Sequence, residues 1–255
     1  MKEIANYPSL KEKVVLVTGG ASGIGETIVE NFLQQGSKVA FIDKEKELGL
    51  KLESKLQNYE FKPKYKECDL VNIDDLKKTI NQIQLEIGPI SVLVNNAAND
   101  DRHDIDSVTP EYWDSRMNVN LRHYFFATQF AYKHMKDLGK GSVINIGSFS
   151  WMLGQGGMPG YTTAKSAIMG LTRTLARDLG EYNIRVNCVV PGWIITERQR
   201  KLWLTPEIEK QQLERQCIKR MLEPNDIAKP VLFFASDQSS GCSAQNYVVD
   251  GGIVH

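Results

Sequence analysis

Metal-ligand spacing is the first thing missing from this chain of 255 residues. Its four cysteines, Cys68, Cys188, Cys217 and Cys242, form no Cys-x-x-Cys pair, and its four histidines, His103, His123, His134 and His255, are as scattered. No metal is expected, and the cysteines read as small apolar residues in a reducing compartment. An excess of one charge is missing too: 31 basic residues balance 31 acidic ones. That leaves no electrostatic footprint for nucleic acid or an anionic membrane. Apolar runs fall short of the ~20 residues a membrane span needs. The first seven residues lack the basic-then-apolar pattern of a signal peptide. A cytoplasmic protein is expected.

Linkers, repeats and low-complexity tracts are absent as well, so one domain over residues 1–255 is the economical reading, with 1–10 as an N-terminal extension. The length is ample for a substantial core. What is present is an alternation of short apolar runs and longer helical patterns. Runs at 14–17, 38–42, 90–94, 142–146 and 185–190 read as strands, continuous enough to be buried on both faces. Runs at 61–68 and 245–249 are weaker strand candidates. Helices are predicted at about 24–35, 44–57, 72–87, 110–138, 161–180 and 224–236. This pattern predicts an α/β fold, a doubly wound parallel sheet of about seven strands flanked by helices. A polar loop at 96–109 and a polar insertion at 194–221 interrupt it. Such loops collect at the carboxyl ends of strands, where ligands bind, and the insertion is a candidate substrate lid. Pro230 falls inside the last helix, just past a turn capped by Asn225 or Asp226, and a local kink is expected there.

Thr18-Gly19-Gly20-Ala21-Ser22-Gly23-Ile24-Gly25 follows the first strand and opens a helix. Glycines there permit a tight turn and let a pyrophosphate approach the N–H groups of the helix N-terminus. Asp43 ends the second strand, where a carboxylate accepts from ribose hydroxyls and repels a 2′-phosphate. NAD is therefore favoured as cofactor, with NADP use not excluded because Lys44 follows.

Tyr161 and Lys165 are four residues apart, which places them on one helix face. A phenol with a pKa near ~10 is a poor base at neutral pH, each unit of mismatch costing about 1.4 kcal/mol. A neighbouring ammonium favours the phenolate. The pair is thus a device for taking a proton from an alcohol.

Together these motifs resemble the short-chain dehydrogenases/reductases over nearly the whole length. The Gly-rich turn, Asn95-Asn96-Ala97-Ala98, Ser148, Tyr161-x-x-x-Lys165 and Pro191-Gly192-x-x-x-Thr196 stand in that family's order and spacing. The resemblance implies a catalytic tetrad of Asn120, Ser148, Tyr161 and Lys165, with Asn120 matching better than Asn118. Tyr161 would act as general base in oxidation, Ser148 would hold the substrate oxygen, and Asn120 would support a water through which protons leave. Gly19, Ser22, Gly23, Ile24 and Gly25 would hold the pyrophosphate and Asp43 the ribose. Asp69 and Leu70 match adenine-pocket positions, Asn96 a ribose or backbone contact, and Ile194 and Thr196 the carboxamide clamp. Ala98 departs from the family's usual glycine, narrowing the space near the cofactor ring. A homotetramer is also implied.

The segments around Asn95 to Arg102, Asn120 to His123, Ser150 to Leu153, Val190 to Trp193 and Gln199 to Leu204 look like bacterial aldose 1-dehydrogenases, acting on sugars such as D-xylose and galactose. A sugar pocket wants flat aromatic faces and amide or charged groups for hydroxyls, and Trp151, Trp193, Asn99 and Gln155 are the candidates beside Ser148 and Tyr161. The reaction implied is oxidation of C1 of a cyclic aldose to the aldonolactone. Competing readings are a dehydrogenase or reductase of a non-sugar alcohol or carbonyl (3-oxoacyl, steroid-like or a small secondary alcohol) and a non-catalytic dinucleotide-binding protein. A carrier-protein substrate would need a basic docking patch, such as Lys133, Lys136 and Lys140.

Overall fold

The computed structural model describes residues 4–254. A parallel sheet of seven strands runs through the centre in the order β3-β2-β1-β4-β5-β6-β7. The strands are β1 (Val14–Thr18), β2 (Lys38–Asp43), β3 (Lys64–Glu67), β4 (Val92–Asn95), β5 (Gly141–Ile146), β6 (Ile184–Pro191) and β7 (Asn246–Val249). Helices α1 (Gly23–Gln34), α2 (Lys46–Lys55), α3 (Ile73–Ile87), α4 (Pro110–Met117), α5 (His123–Asp137), α6 (Pro159–Leu179) and α9 (Pro224–Ala235) flank it. Two short helices, α7 (Glu197–Leu202) and α8 (Pro206–Arg215), form the insertion after β6.

Every residue of β1 is buried because both faces of the sheet are covered. The period of two shows in the cores: Val15, Val17, Val39 and Phe41 pack on one side with α1 and α9. Val14, Leu16, Ala40 and Ile42 pack on the other with α3, α5 and α6. A third cluster, Tyr124, Phe149, Ile168, Cys188 and Val190, lies between α5, α6 and β6.

Several elements differ from expectation. The helix expected over 110–138 is divided, because Asn118–Arg122 winds as a π-helix between α4 and α5. The weak strand expected at 61–68 pairs only over Lys64–Glu67, a polar edge strand against β2. The insertion is helical, each of its helices starting at a threonine, Thr196 or Thr205, whose hydroxyl accepts a first-turn N–H. Residues 4–10 are docked on the fold: Leu10 is buried in the core and the Tyr7 N–H donates to Gln35. Residues 1–3 of the expected extension lie outside the described residues. The last helix is capped two or three residues earlier than expected, at Glu223, because Pro224 suits the first helical position and the Asp226 carboxylate accepts the Glu223 N–H. Pro230 is therefore the seventh residue of α9, in its interior. No helix among the described residues is long and apolar enough to cross a membrane.

Helices α1 and α9 hold one face of the sheet chiefly through apolar packing, with Ile28 only 1% exposed in that layer. Ile28→Ala is expected to lower stability by about 2–5 kcal/mol in urea unfolding, with an unchanged m-value. A loss below about 1 kcal/mol would mean the layer closes around the gap at little cost.

Candidate active site

Strand order reverses between β1 and β4, and the loops leaving their carboxyl ends define the site. After β1 the chain turns at Gly19, whose φ is +63° and whose would-be Cβ lies 2.7 Å from Ala97 Cα. A Cβ on Gly25 would meet the Gly19 carbonyl at 1.9 Å. Neither position admits a side chain, so the turn lies flat against the end of β4. Asn96 locks it there: its N–H donates to Thr18 Oγ1, and its amide Nδ2 donates to the Thr18 and Gly19 carbonyls. Ser22, the residue before α1, makes no side-chain capping bond. The first-turn amides of α1 thus have no side-chain cap, which suits an anionic pyrophosphate.

At the end of β2, the Asp43 carboxylate accepts the N–H of Ala21 from the turn and of Glu45. Asp69, after β3, accepts from the Val71 N–H, and Leu70 beside it is buried. Asn72 rather than Asp69 caps α3. Across the sheet, Ile194 and Thr196 line the cavity, with Thr196 Cγ2 near the Gly23 backbone. These groups form a continuous strip along the sheet's carboxyl edge, and they fit an extended dinucleotide: a flat turn, uncapped amides and a carboxylate at the end of β2.

A cavity of about 760 Å³ opens beside this strip. Ser148, Tyr161, Lys165, Gln155 and Trp193 line it. Ser148, following β5, stands beside Tyr161 in the cavity wall, where its hydroxyl favours the phenolate. Its Oγ also donates to Ser150 Oγ and accepts the Ser150 N–H, so its position is fixed. Lys165 is 1% exposed and donates to Tyr124 Oη and the Ile146 carbonyl. Its Nζ lies 5.7 Å from the centre of the Tyr161 ring.

Burial works on both members of this pair. Burial pushes the Tyr161 phenol up to about 12, a shift that the nearby Ser148 hydroxyl and Arg102 only partly oppose and the Asp100 carboxylate reinforces. Burial pulls the Lys165 amine down to about 7. The amine faces a neutral hydroxyl and a carbonyl, so its charge does not offset the desolvation of the phenol.

Asn120 sits fully buried in the π-helical turn, where the irregular winding re-aims it. Its Oδ1 accepts the Asn99 N–H at 2.8 Å, tying the 96–109 loop to the helix, while its Nδ2 has no protein partner. His123 follows on α5. Both neighbours of its Nε2 are carbonyls, Val119 at 3.0 Å and Ala97 at 3.1 Å, so Nε2 carries the proton. Burial and the nearby Lys165 pull the imidazole down to about 4.

Two of the expected substrate residues do not reach the cavity. The Asn99 side chain accepts its own loop's Asp101 N–H, and the next residue, Asp100, faces inward instead. Trp151 does not line the cavity, and its indole N–H is buried without a partner. Trp193 does line it, its N–H donating to Gln199 Oε1 at 2.7 Å. Gln199 in turn donates to Asp100 Oδ2 at 3.0 Å. Arg198 bridges Asp100 and Asp101, and Arg102 stacks over Trp203, so the lid helix α7 is closed over the loop after β4. Gln155 faces the guanidinium of Arg102, its oxygen accepting from it. Sequence reasoning assigned no role to Asp100, Arg102 or Gln199. Their polarity within two loops flanking the site was the available signal. Among the described residues, no group of three or more His, Cys, Asp or Glu side chains could hold a metal ion.

Comparison with known proteins agrees with this architecture. The family model described as Enoyl-(Acyl carrier protein) reductase matches residues 19–254. The chain is 49% identical over 248 residues to a D-xylose 1-dehydrogenase of Caulobacter vibrioides, covering 97% of this chain and 98% of that protein. It is 45% identical over 250 residues to a probable galactose dehydrogenase of Rhizobium meliloti, covering 98% of each. In structure it is similar to the ligand-free aldohexose dehydrogenase of Thermoplasma acidophilum, with a TM-score of 0.86, 34% identity, and coverage of 97% and 96%.

The buried His123 carries a prediction. A pKa held below its ordinary 6.5 at about 4 means the unfolded chain binds more protons between those values, so stability rises with pH across that window. The stability of the wild type minus that of His123→Gln should climb by up to about 1.4 kcal/mol per pH unit there and level off above it. A pH-independent difference in urea titrations would show that His123 is not buried in its neutral form.

Proposed function

The chain belongs to the short-chain dehydrogenase/reductase family, and from that premise we propose that it oxidises C1 of a cyclic aldose to the aldonolactone with NAD. The observation that carries this reading is one cavity wall: Ser148, Tyr161 and Lys165 face a ring of hydroxyl-binding groups, Asp100, Gln155 and Gln199, beside the indole of Trp193. A carboxylate and two amides suit vicinal hydroxyls, and an indole face suits the C–H surface of a pyranose.

A bound nicotinamide dinucleotide would supply the hydride acceptor, and its oxidised ring would supply a positive charge near Tyr161. Tyr161 takes the proton of the anomeric hydroxyl, and burial keeps its phenol protonated unless a positive charge lies beside it. Ser148 bonds the same oxygen as the C=O forms, from a position its bonds to Ser150 already fix. Gly19 to Gly25, Asp43, Asp69, Leu70, Asn96, Ile194 and Thr196 are assigned to the cofactor. Asn120 maintains the loop that carries Asp100.

Support for NAD over NADP is the Asp43 carboxylate, held beside the turn by the Ala21 N–H. Asp43→Ser is expected to shift the NADP/NAD ratio of kcat/KM upward by at least about tenfold, near 1.4 kcal/mol. An unchanged ratio would remove the carboxylate as the discriminating group.

Acyl-carrier substrates are less well suited. Lys133, Lys136 and Lys140 lie where α5 ends and β5 begins, the sheet edge opposite the cavity. The lid and loop set Asp100, Arg102 and Gln199 into the cavity wall alongside Trp203 and Ile208. We also infer a cytoplasmic homotetramer, supported by the exposed Trp113 and Phe125 on α4 and α5. Light scattering that returns a monomer would contradict the assembly.

The direct test is formation of NADH or NADPH across a panel of pentoses, hexoses, deoxysugars and secondary alcohols. One or two aldoses should turn over with NAD, and Tyr161→Phe should lower kcat by roughly 10²-fold or more. Oxidation of apolar alcohols with no sugar activity would overturn the substrate and leave the dehydrogenase standing.

A further inference from the structure

Lys165 projects from α6 toward the site, yet neither of its hydrogen bonds goes to Tyr161. Nζ donates to Tyr124 Oη at 2.9 Å and to the Ile146 carbonyl at 2.8 Å. Tyr124, on α5, is fully buried and gives its own hydroxyl proton to the same Ile146 carbonyl at 3.0 Å. With its donor committed, the hydroxyl meets Lys165 only as an acceptor. The Tyr124 backbone is held in turn, since its carbonyl accepts from Asn95 of β4 and from Thr128. Tyr124, Ile146 and Lys165 thus close a triangle of three elements around one amine.

We propose that Tyr124 is a positioning residue for Lys165: its hydroxyl accepts one proton of the amine and, with the Ile146 carbonyl, holds the charged form beside Tyr161 with its remaining N–H toward the cavity. The inference rests on the reading of Tyr161 and Lys165 as the proton-transfer pair.

The titratable groups facing Lys165 are Tyr161 on its own helix, Tyr124 and His123 on α5, Cys188 on β6 and Asp100 on the 96–109 loop. Burial keeps Cys188 a neutral thiol and His123 a neutral imidazole. At contact distance the amine therefore has two neutral acceptors and no anion. An acceptor bonded to the charged form favours it. Removing the hydroxyl leaves one carbonyl, lowers the proton affinity of Lys165, and so weakens the positive charge that favours the Tyr161 phenolate.

Tyr124→Phe isolates the hydroxyl, because the ring that lies 5.1 Å from Nζ is kept. Titration of Lys165 in the cofactor-free protein, read by NMR of labelled lysine and assigned with Lys165→Met, should move down by about one unit from the wild-type value. The acid limb of kcat/KM for alcohol oxidation should move to higher pH, with about 10- to 100-fold less activity at neutral pH. Tyr124→Gln returns an acceptor without the ring and should recover part of the Lys165 shift, which also serves if the Phe variant does not fold. An unmoved Lys165 titration in the Phe variant, or equal shifts in the Phe and Gln variants, overturns the proposal. A shifted titration in a protein that oxidises no aldose would sink the substrate reading while the positioning role stands.

Discussion

Lys165 Nζ lies inside the protein with one carbonyl and one hydroxyl as partners, and its charge is the quantity every neighbour must accommodate. Burial pulls its pKa down and pushes that of Tyr161 up, so it disfavours the charged form of both groups. A group of that kind responds strongly to a single added charge, because little solvent is present to screen it. Sites that keep a titratable pair poised this way are suited to proton transfer at neutral pH.

Around that amine the interior is polar, and a chain of amides runs through it, although Asn95 Oδ1, Asn120 Nδ2 and His123 Nδ1 have no protein partner. Asn95 donates to Asn145, and Asn145 donates to Thr172, linking β4, β5 and α6 through the buried layer. Buried amides of this kind are costly unless paired, and once paired they fix register. The same logic applies at the rim, where Asn120 holds the Asn99 N–H and Gln199 links Trp193 to Asp100. The exposed ion pairs of Arg198 contribute little each. What closes α7 is their combination with the Gln199 bridge and the stacking of Arg102 on Trp203.

Local features were legible in the sequence, and contacts between distant residues were not. The apolar run of β1, the glycines behind it and the four-residue spacing of Tyr161 and Lys165 are set by near neighbours, so pattern reveals them. The partner of Lys165 is 41 residues away on a helix whose sequence gives Tyr124 no distinction from other core residues. Asn99 and Asp100 are adjacent, and only the fold of the loop decides which faces the cavity. Trp151 and Trp193 are equally aromatic, yet Gln199 pins one at the cavity while the other does not line it. Helices α7 and α8 escaped notice because their sequences are nearly all polar, and their starts depend on threonine caps.

Tyrosinate absorbance most directly tests the claim that Tyr161 stays protonated until positive charge reaches it. Ultraviolet difference titration of the cofactor-free protein should show no Tyr161 ionisation until the pH approaches about 12. Addition of oxidised dinucleotide should bring one tyrosinate into the neutral-to-mildly-alkaline range, and Tyr161→Phe should abolish it. A tyrosinate already present near neutral pH without dinucleotide, or none after saturation with it, would contradict the account.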